Sequence, residues 1–167
     1  MSLPAYMYIY DENGSQIRGS CMALGREGAI EIMNSGYGVY QNTCSNTGKL
    51  MGSRQHQGFV LHKEIDKTSP YFAVAVCQSR RLQKAVIHYY DINEAGIEYE
   101  IYRVTLNSLV IMSVNASHAY MPGSHTSGML ENIVISYAGI EWFYLEGNIK
   151  YDDDWSKPVG YNQQRKQ

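Results

Sequence analysis

The chain is short of several things that would announce a particular kind of protein. None of its apolar runs approaches the ~18 consecutive residues of a membrane-spanning helix. Its start, "MSLPAYMYIYDENG", has neither the basic opening nor the apolar centre of a secretory signal. Charge is nearly balanced at −2, which removes the electrostatic case for nucleic acid or an anionic membrane as partner. There are only three cysteines, Cys21, Cys44 and Cys77. An odd, scattered set reads as free thiols made in a reducing cytoplasm and excludes a disulfide framework. Phenylalanine is also scarce, with three against 15 tyrosines. Tyrosine combines a ring that favours strands with a hydroxyl that tolerates water, so this bias suits half-exposed strands and polar interfaces.

What remains is globular. The 167 residues are 44% hydrophobic and 18% charged, enough to build one buried core and far from a disordered composition. Period-two alternation dominates. "YMYIY" sets Tyr6, Tyr8 and Tyr10 against Met7 and Ile9, and "GAIEIM" sets Ile30 and Ile32 against Glu31. Strand character recurs at "GFVLHKEI", "KAVIHYYD", "IEYEIYRVTL", "SLVIMSV", "LENIVISYA", "GIEWFYLEG" and "NIKY". Asn13-Gly14, Asn93 to Gly96, Ala138-Gly139 and Gly147-Asn148 are turn signals between these runs. The pattern predicts an all-β fold with one short helix: a β-barrel of two packed, mostly antiparallel sheets, flanked by a helix near residues 70–78. Residues 1–155 form one domain in this reading, and 156–167, "SKPVGYNQQRKQ", a flexible tail.

The helix comes from one interruption of the alternation, "HKEIDKTSPYFAVAVC". Pro70 suits a first helical position because its missing N–H costs nothing there. Ser69 is predicted as the N-cap, with Thr68 competing for that role.

The chemical motifs are incomplete. "NTGKLMG" has Thr43 where a phosphate loop needs its first Gly, and Leu50 where it needs a hydroxyl for magnesium, so it reads as a surface loop. The five histidines have no metal-ligand spacing, including His118 and His125, which share a Gly/Ser-rich loop. Asp152, Asp153 and Asp154 lack the form of a calcium loop and read as a solvated acidic turn. Glu64 and Asp66 read as ion-pair partners of Lys63 and Lys67. No catalytic cluster emerges, and neither an enzyme activity nor a cofactor or metal is expected.

Taken in order, "LPAYMYIYDENGSQIRGS", "KEIDKTSPYF" and "IEWFYLEGNI" resemble the haemolysin-coregulated protein (Hcp) family, the tube subunits of type VI secretion systems, over nearly the whole chain. The resemblance implies a β-barrel with one short helix and a homohexameric ring that stacks into a tube. It implies a contractile sheath and a spike protein as partners, and effector proteins carried in the lumen. The subunit would be cytoplasmic while assembled and then secreted without a signal peptide. The alternative from the residues alone is a ligand- or carbohydrate-binding β-barrel using the same tyrosines. In the family the region matching 41–58 is an extended loop that touches neighbouring subunits. On that basis Lys49, Leu50, Met51, Arg54 and His56 are the expected interface residues. Leu50 and Met51 would make apolar contacts, and Lys49 and Arg54 polar ones.

Overall fold

The computed structural model describes residues 3–125 and 127–155; the expected tail lies outside them. Nine strands and one helix follow in the order β1 (Ala5–Tyr10), β2 (Gln16–Ile17), β3 (Ile30–Ile32), β4 (Asn34–Tyr40), β5 (Gln55–Glu64), α1 (Ser69–Cys77), β6 (Arg81–Ile92), β7 (Glu98–His118), β8 (Met129–Tyr144) and β9 (Ile149–Asp154). All pairings are antiparallel.

Two expectations are corrected in detail. The strands make one sheet rather than two, in the order β2-β1-β6-β7-β8-β5-β4, with β3 added to β1 and β9 to β8. Residues 30–40 pair first with β1 as β3 and then with β5 as β4, so one stretch of chain joins the two edges of the rolled sheet. Met33, between the two strands, donates its N–H to the carbonyl of His62 at 2.9 Å. The hydrogen-bonded ladder itself stops short of a closed ring.

The second correction concerns strand length. "IEYEIYRVTL" and "SLVIMSV" are one strand, β7, with Ser108 held at φ 50 in its interior. "LENIVISYA" and "GIEWFYLEG" are likewise one strand, β8. Sequence pattern locates strand breaks by turn residues, but long curved strands absorb such residues at bulges that bend the sheet. The β7–β8 register shifts between Ile111 and Ser113. The hairpin turns behave as read: Gly14 and Gly96 sit at φ 82 and 78, a left-handed conformation that glycine adopts without a steric cost.

Alternation builds the core directly. Met7 and Ile9 from β1, Phe59 and Leu61 from β5, Ala85 and Ile87 from β6, Leu106 and Leu109 from β7, and Ile133 and Ile135 from β8 are all fully buried. They fill the interior together with Phe72 and Ala75 of α1, which packs against β7.

Candidate assembly site

The stretch between β4 and β5 is a hairpin that prolongs their ladder, more ordered than its polar composition implies. Thr43 bridges Leu50. Met51 N–H donates to Asn42 O, and Cys44 N–H to Lys49 O. At its end Lys49 is exposed, and Leu50 and Met51 are 72% and 55% exposed.

Arg54 and His56 are engaged within the subunit. Arg54 Nε and Nη2 donate to the two oxygens of Asp153 at 2.7 and 2.8 Å, a fork that matches carboxylate geometry. His56, with its side chain 1% exposed, lies between Asp153 Oδ2 at 2.8 Å and the Tyr137 hydroxyl at 2.9 Å. Since the Asp153 carboxylate can only accept, His56 Nε2 donates to it, and Nδ1 is hydrogen-bonded to the Tyr137 hydroxyl. The two residues tie the root of the hairpin to β9. Strand alternation is the reason: Gln55 between them points outward, and both neighbours turn toward β9. Asp153 is therefore not in a solvated acidic turn; Asp152 to Asp154 belong to β9, which pairs with β8.

Burial pushes the Tyr137 hydroxyl up to about 12, so it stays a phenol at neutral pH.

A second polar cluster fastens the helix. Lys63 follows Phe59 and Leu61 on the inward face of β5, and Glu131 precedes Ile133 and Ile135 on the inward face of β8. The register sets Lys63 opposite Glu131, and Nζ lies 2.5 Å from Oε1 with both side chains buried. Lys63 Nζ also donates to Asp66 Oδ1 at 2.8 Å.

Ser69 is corrected from its predicted role. Thr68 occupies the N-cap position and makes no side-chain cap bond, while Ser69 begins the helix. Pro70 follows as the second helical residue, which moves the boundary one residue back from the expected place. The Ser69 hydroxyl donates to Glu131 Oε1 at 2.6 Å and accepts the Asp66 N–H at 3.0 Å. Its oxygen is committed to the buried cluster and is not available as a cap.

Burial pushes the carboxyls of Asp66 and Asp153 up, but hydrogen bonds from Lys63 and Thr68 to the first, and from Arg54 and His56 to the second, hold both below the ordinary value. A lowered native value contributes stability at neutral pH that disappears as pH falls from the unfolded value, about 3.9, through the native one. The unfolding midpoint of the wild type is thus expected to drop steeply below about pH 4. Asp153→Asn should lower the midpoint at pH 7 and flatten that drop, measured by thermal melts across pH. Equal slopes in both proteins would remove Asp153 from the account.

The comparisons with known proteins agree with this architecture. Residues 6–144 match the family described as "Type VI secretion system effector, Hcp". The chain is 26% identical to the major exported protein of Pseudomonas aeruginosa, over 95% of its own length and 99% of that protein's. Among solved structures, Hcp1 of E. coli EAEC 042 pathovar is 36% identical, with a TM-score of 0.82 over 91% of this chain and 98% of that one. A further Hcp crystal structure, 18% identical, has the same fold, with a TM-score of 0.85 over 93% of this chain and 99% of the other. The chain belongs to the Hcp family, the tube and effector proteins of type VI secretion systems.

Proposed function

We propose that six copies of this chain close into a ring and that rings stack head to tail into the tube that the secretion system expels. The observation that carries the proposal is the contrast between a filled interior and apolar side chains left outside at ordered positions. The interior positions hold Phe59, Leu61, Ile87, Leu106 and Ile135, side chains that occupy the place where a ligand-binding barrel would keep its cavity. Meanwhile Leu50, Met51, Met22, Leu24 and Tyr120 stand in solvent.

The loop bearing Met22 and Leu24 is fastened. Arg26 lies 3.9 Å from the ring centre of Tyr90 and 4.7 Å from that of Tyr6, and is paired with Glu98 at 2.6 Å. Apolar groups held in place at separate positions suit heterologous contacts, which close into a ring or propagate as a filament. In this reading the hairpin end, Lys49 to Met51, docks on a neighbouring subunit, and Arg54 and His56 hold it in position. The sheath and spike meet the assembled tube, and effectors travel in its lumen. The chain has a structural and carrier role and no catalytic one, and it is exported as part of the tube, as the name of the Pseudomonas relative implies for that protein.

Native mass spectrometry should find the mass of six 19.0 kDa chains. A protein that stays monomeric at tens of micromolar overturns the ring, and the ligand-binding alternative then becomes the better account.

A further inference from the structure

Three adjacent strands change phase along one line. Leu82 and Ala85 of β6, Leu106 and Leu109 of β7, and Tyr137 and Ile140 of β8 are all buried. The members of each pair are three residues apart, whereas a straight strand turns every second residue inward. The two residues between them are left outside the core, and the register runs Lys84–Asn107–Gly139 across the three strands. In β7 the change is made at Ser108, whose φ of 50 is uncommon for a residue with a Cβ. Beside this line the outer surface has a concavity of about 390 Å³, whose lining includes Arg81, Ser108, Val110, Ser136, Ala138 and Trp155.

The polar groups of the concavity are of one kind. Arg81 makes no ion pair among the described residues. Its Nη1 donates to Ser108 Oγ at 3.1 Å, which leaves further N–H groups of the guanidinium and the Ser108 hydroxyl proton to donate elsewhere. The Ser136 hydroxyl has no hydrogen bond among the described residues, and no acidic side chain lines the concavity. A cation and two hydroxyls without a carboxylate make a seat for an anion. One wall is a fixed ring. Trp155 donates its backbone N–H to Ala138 O at 3.2 Å and its indole N–H to Tyr137 O, and stays 39% exposed.

We infer that the concavity receives an acidic segment of a partner protein. A Glu or Asp side chain of that segment sits on Arg81, Ser108 and Ser136, and the apolar residue next to it lies on the Trp155 ring and Val110. The open walls favour a chain over a free acid. Small-molecule sites bury about 70–90% of their ligand, whereas Arg81 and Trp155 stand open to solvent. A segment suits such a surface because the residues on either side of the anchored one rest on the sheet. Arg and Trp are also the side chains that most often anchor contacts between proteins. The inference stands apart from the ring-and-tube reading, since all of these residues belong to one subunit.

Two blocked tripeptides test it, acetyl-Leu-Glu-Phe-amide and acetyl-Leu-Gln-Phe-amide, titrated into the full-length protein and followed by saturation-transfer NMR. The acidic peptide should bind saturably and at least about ten-fold tighter than the neutral one. Arg81→Ala should erase that preference, and Arg81→Glu should transfer it to acetyl-Leu-Lys-Phe-amide. Both variants should melt as wild type does, since Arg81 is exposed. Should either melt early, Ser136→Ala decides, and it should weaken the acidic peptide several-fold. No saturable binding, equal binding of the two first peptides, or wild-type affinity in the variants overturns the inference. Inorganic phosphate that displaces the acidic peptide at equal concentration shows a seat for any anion and overturns it too. Native mass spectrometry identifies a second copy as the occupant: a hexameric wild type with a monomeric Arg81→Glu variant means that this chain fills the concavity itself, and the assignment to another protein fails. A wild type that is monomeric and binds the acidic peptide overturns the ring and supports the site.

Discussion

Replacing Lys63 by Ala is expected to lower the free energy of unfolding by about 3–5 kcal/mol, because the change leaves the buried Glu131 carboxylate without its cation. That is a large part of a typical domain's stability of about 5–15 kcal/mol, so the variant should be at or near the threshold of folding. The Ser69 hydroxyl and the Asp66 side chain, both bonded to Lys63 Nζ, lose a partner at the same time, which detaches the start of α1. The paired change Lys63→Met with Glu131→Leu should behave differently. It removes both desolvated charges and keeps the volume filled, and such exchanges are neutral or stabilising by about 1–4 kcal/mol elsewhere. Denaturant titration of the three proteins tests the pair: a single variant as stable as wild type would show that Glu131 finds water or another partner.

The second large effect acts on assembly. Leu50→Asp with Met51→Asp should leave the fold intact, since both side chains are in solvent in the single subunit and exposed substitutions are usually within about 0.5 kcal/mol. Stacking should collapse. Fully burying a Leu or Met side chain is worth about 1.5–3 kcal/mol, and the two aspartates forfeit it at every contact between rings. A loss of only about 1 kcal/mol at each of the six contacts proposed per ring would weaken ring–ring affinity by roughly 10⁴-fold. The expected outcome is normal hexamers by native mass spectrometry and no secreted protein in the medium. Secretion at wild-type levels would show that the hairpin end plays no part in the tube.

Alternation alone was sufficient for much of this structure. Met7, Ile9, Ile30 and Ile32 point inward as their phase requires, and Pro70 marks the helix to within a residue. The same rule, followed strictly, would have brought Lys63 and Glu131 into the core, since each holds the inward phase of its strand. Reading charged residues as solvated by default hides such a pair. The joining of "IEYEIYRVTL" to "SLVIMSV" was not legible, because a serine in a left-handed conformation inside a strand has no local signature. Nor could the sequence bring Arg54 and His56 to Asp153. Those residues lie nearly a hundred positions apart, and only the β5–β8 and β8–β9 registers bring them within hydrogen-bonding distance. The stretch 41–58 reads as a surface loop in the sequence; within the subunit it leaves Leu50 and Met51 exposed and bonds Arg54 and His56 to Asp153.

The bond between Arg54, His56 and Asp153 has a consequence for the order of events on the ribosome. β9 is the last of the described strands to be synthesised, yet it carries the carboxylate that braces the root of a hairpin made about a hundred residues earlier. Until Asp153 emerges, Arg54 and His56 lack the carboxylate to which the finished fold bonds them. A nascent or prematurely ended chain would carry the sticky Leu50–Met51 end without the geometry to place it. On the assembly proposed above, a chain that ends before Asp153 would carry the hairpin without the carboxylate that ties its root to β9.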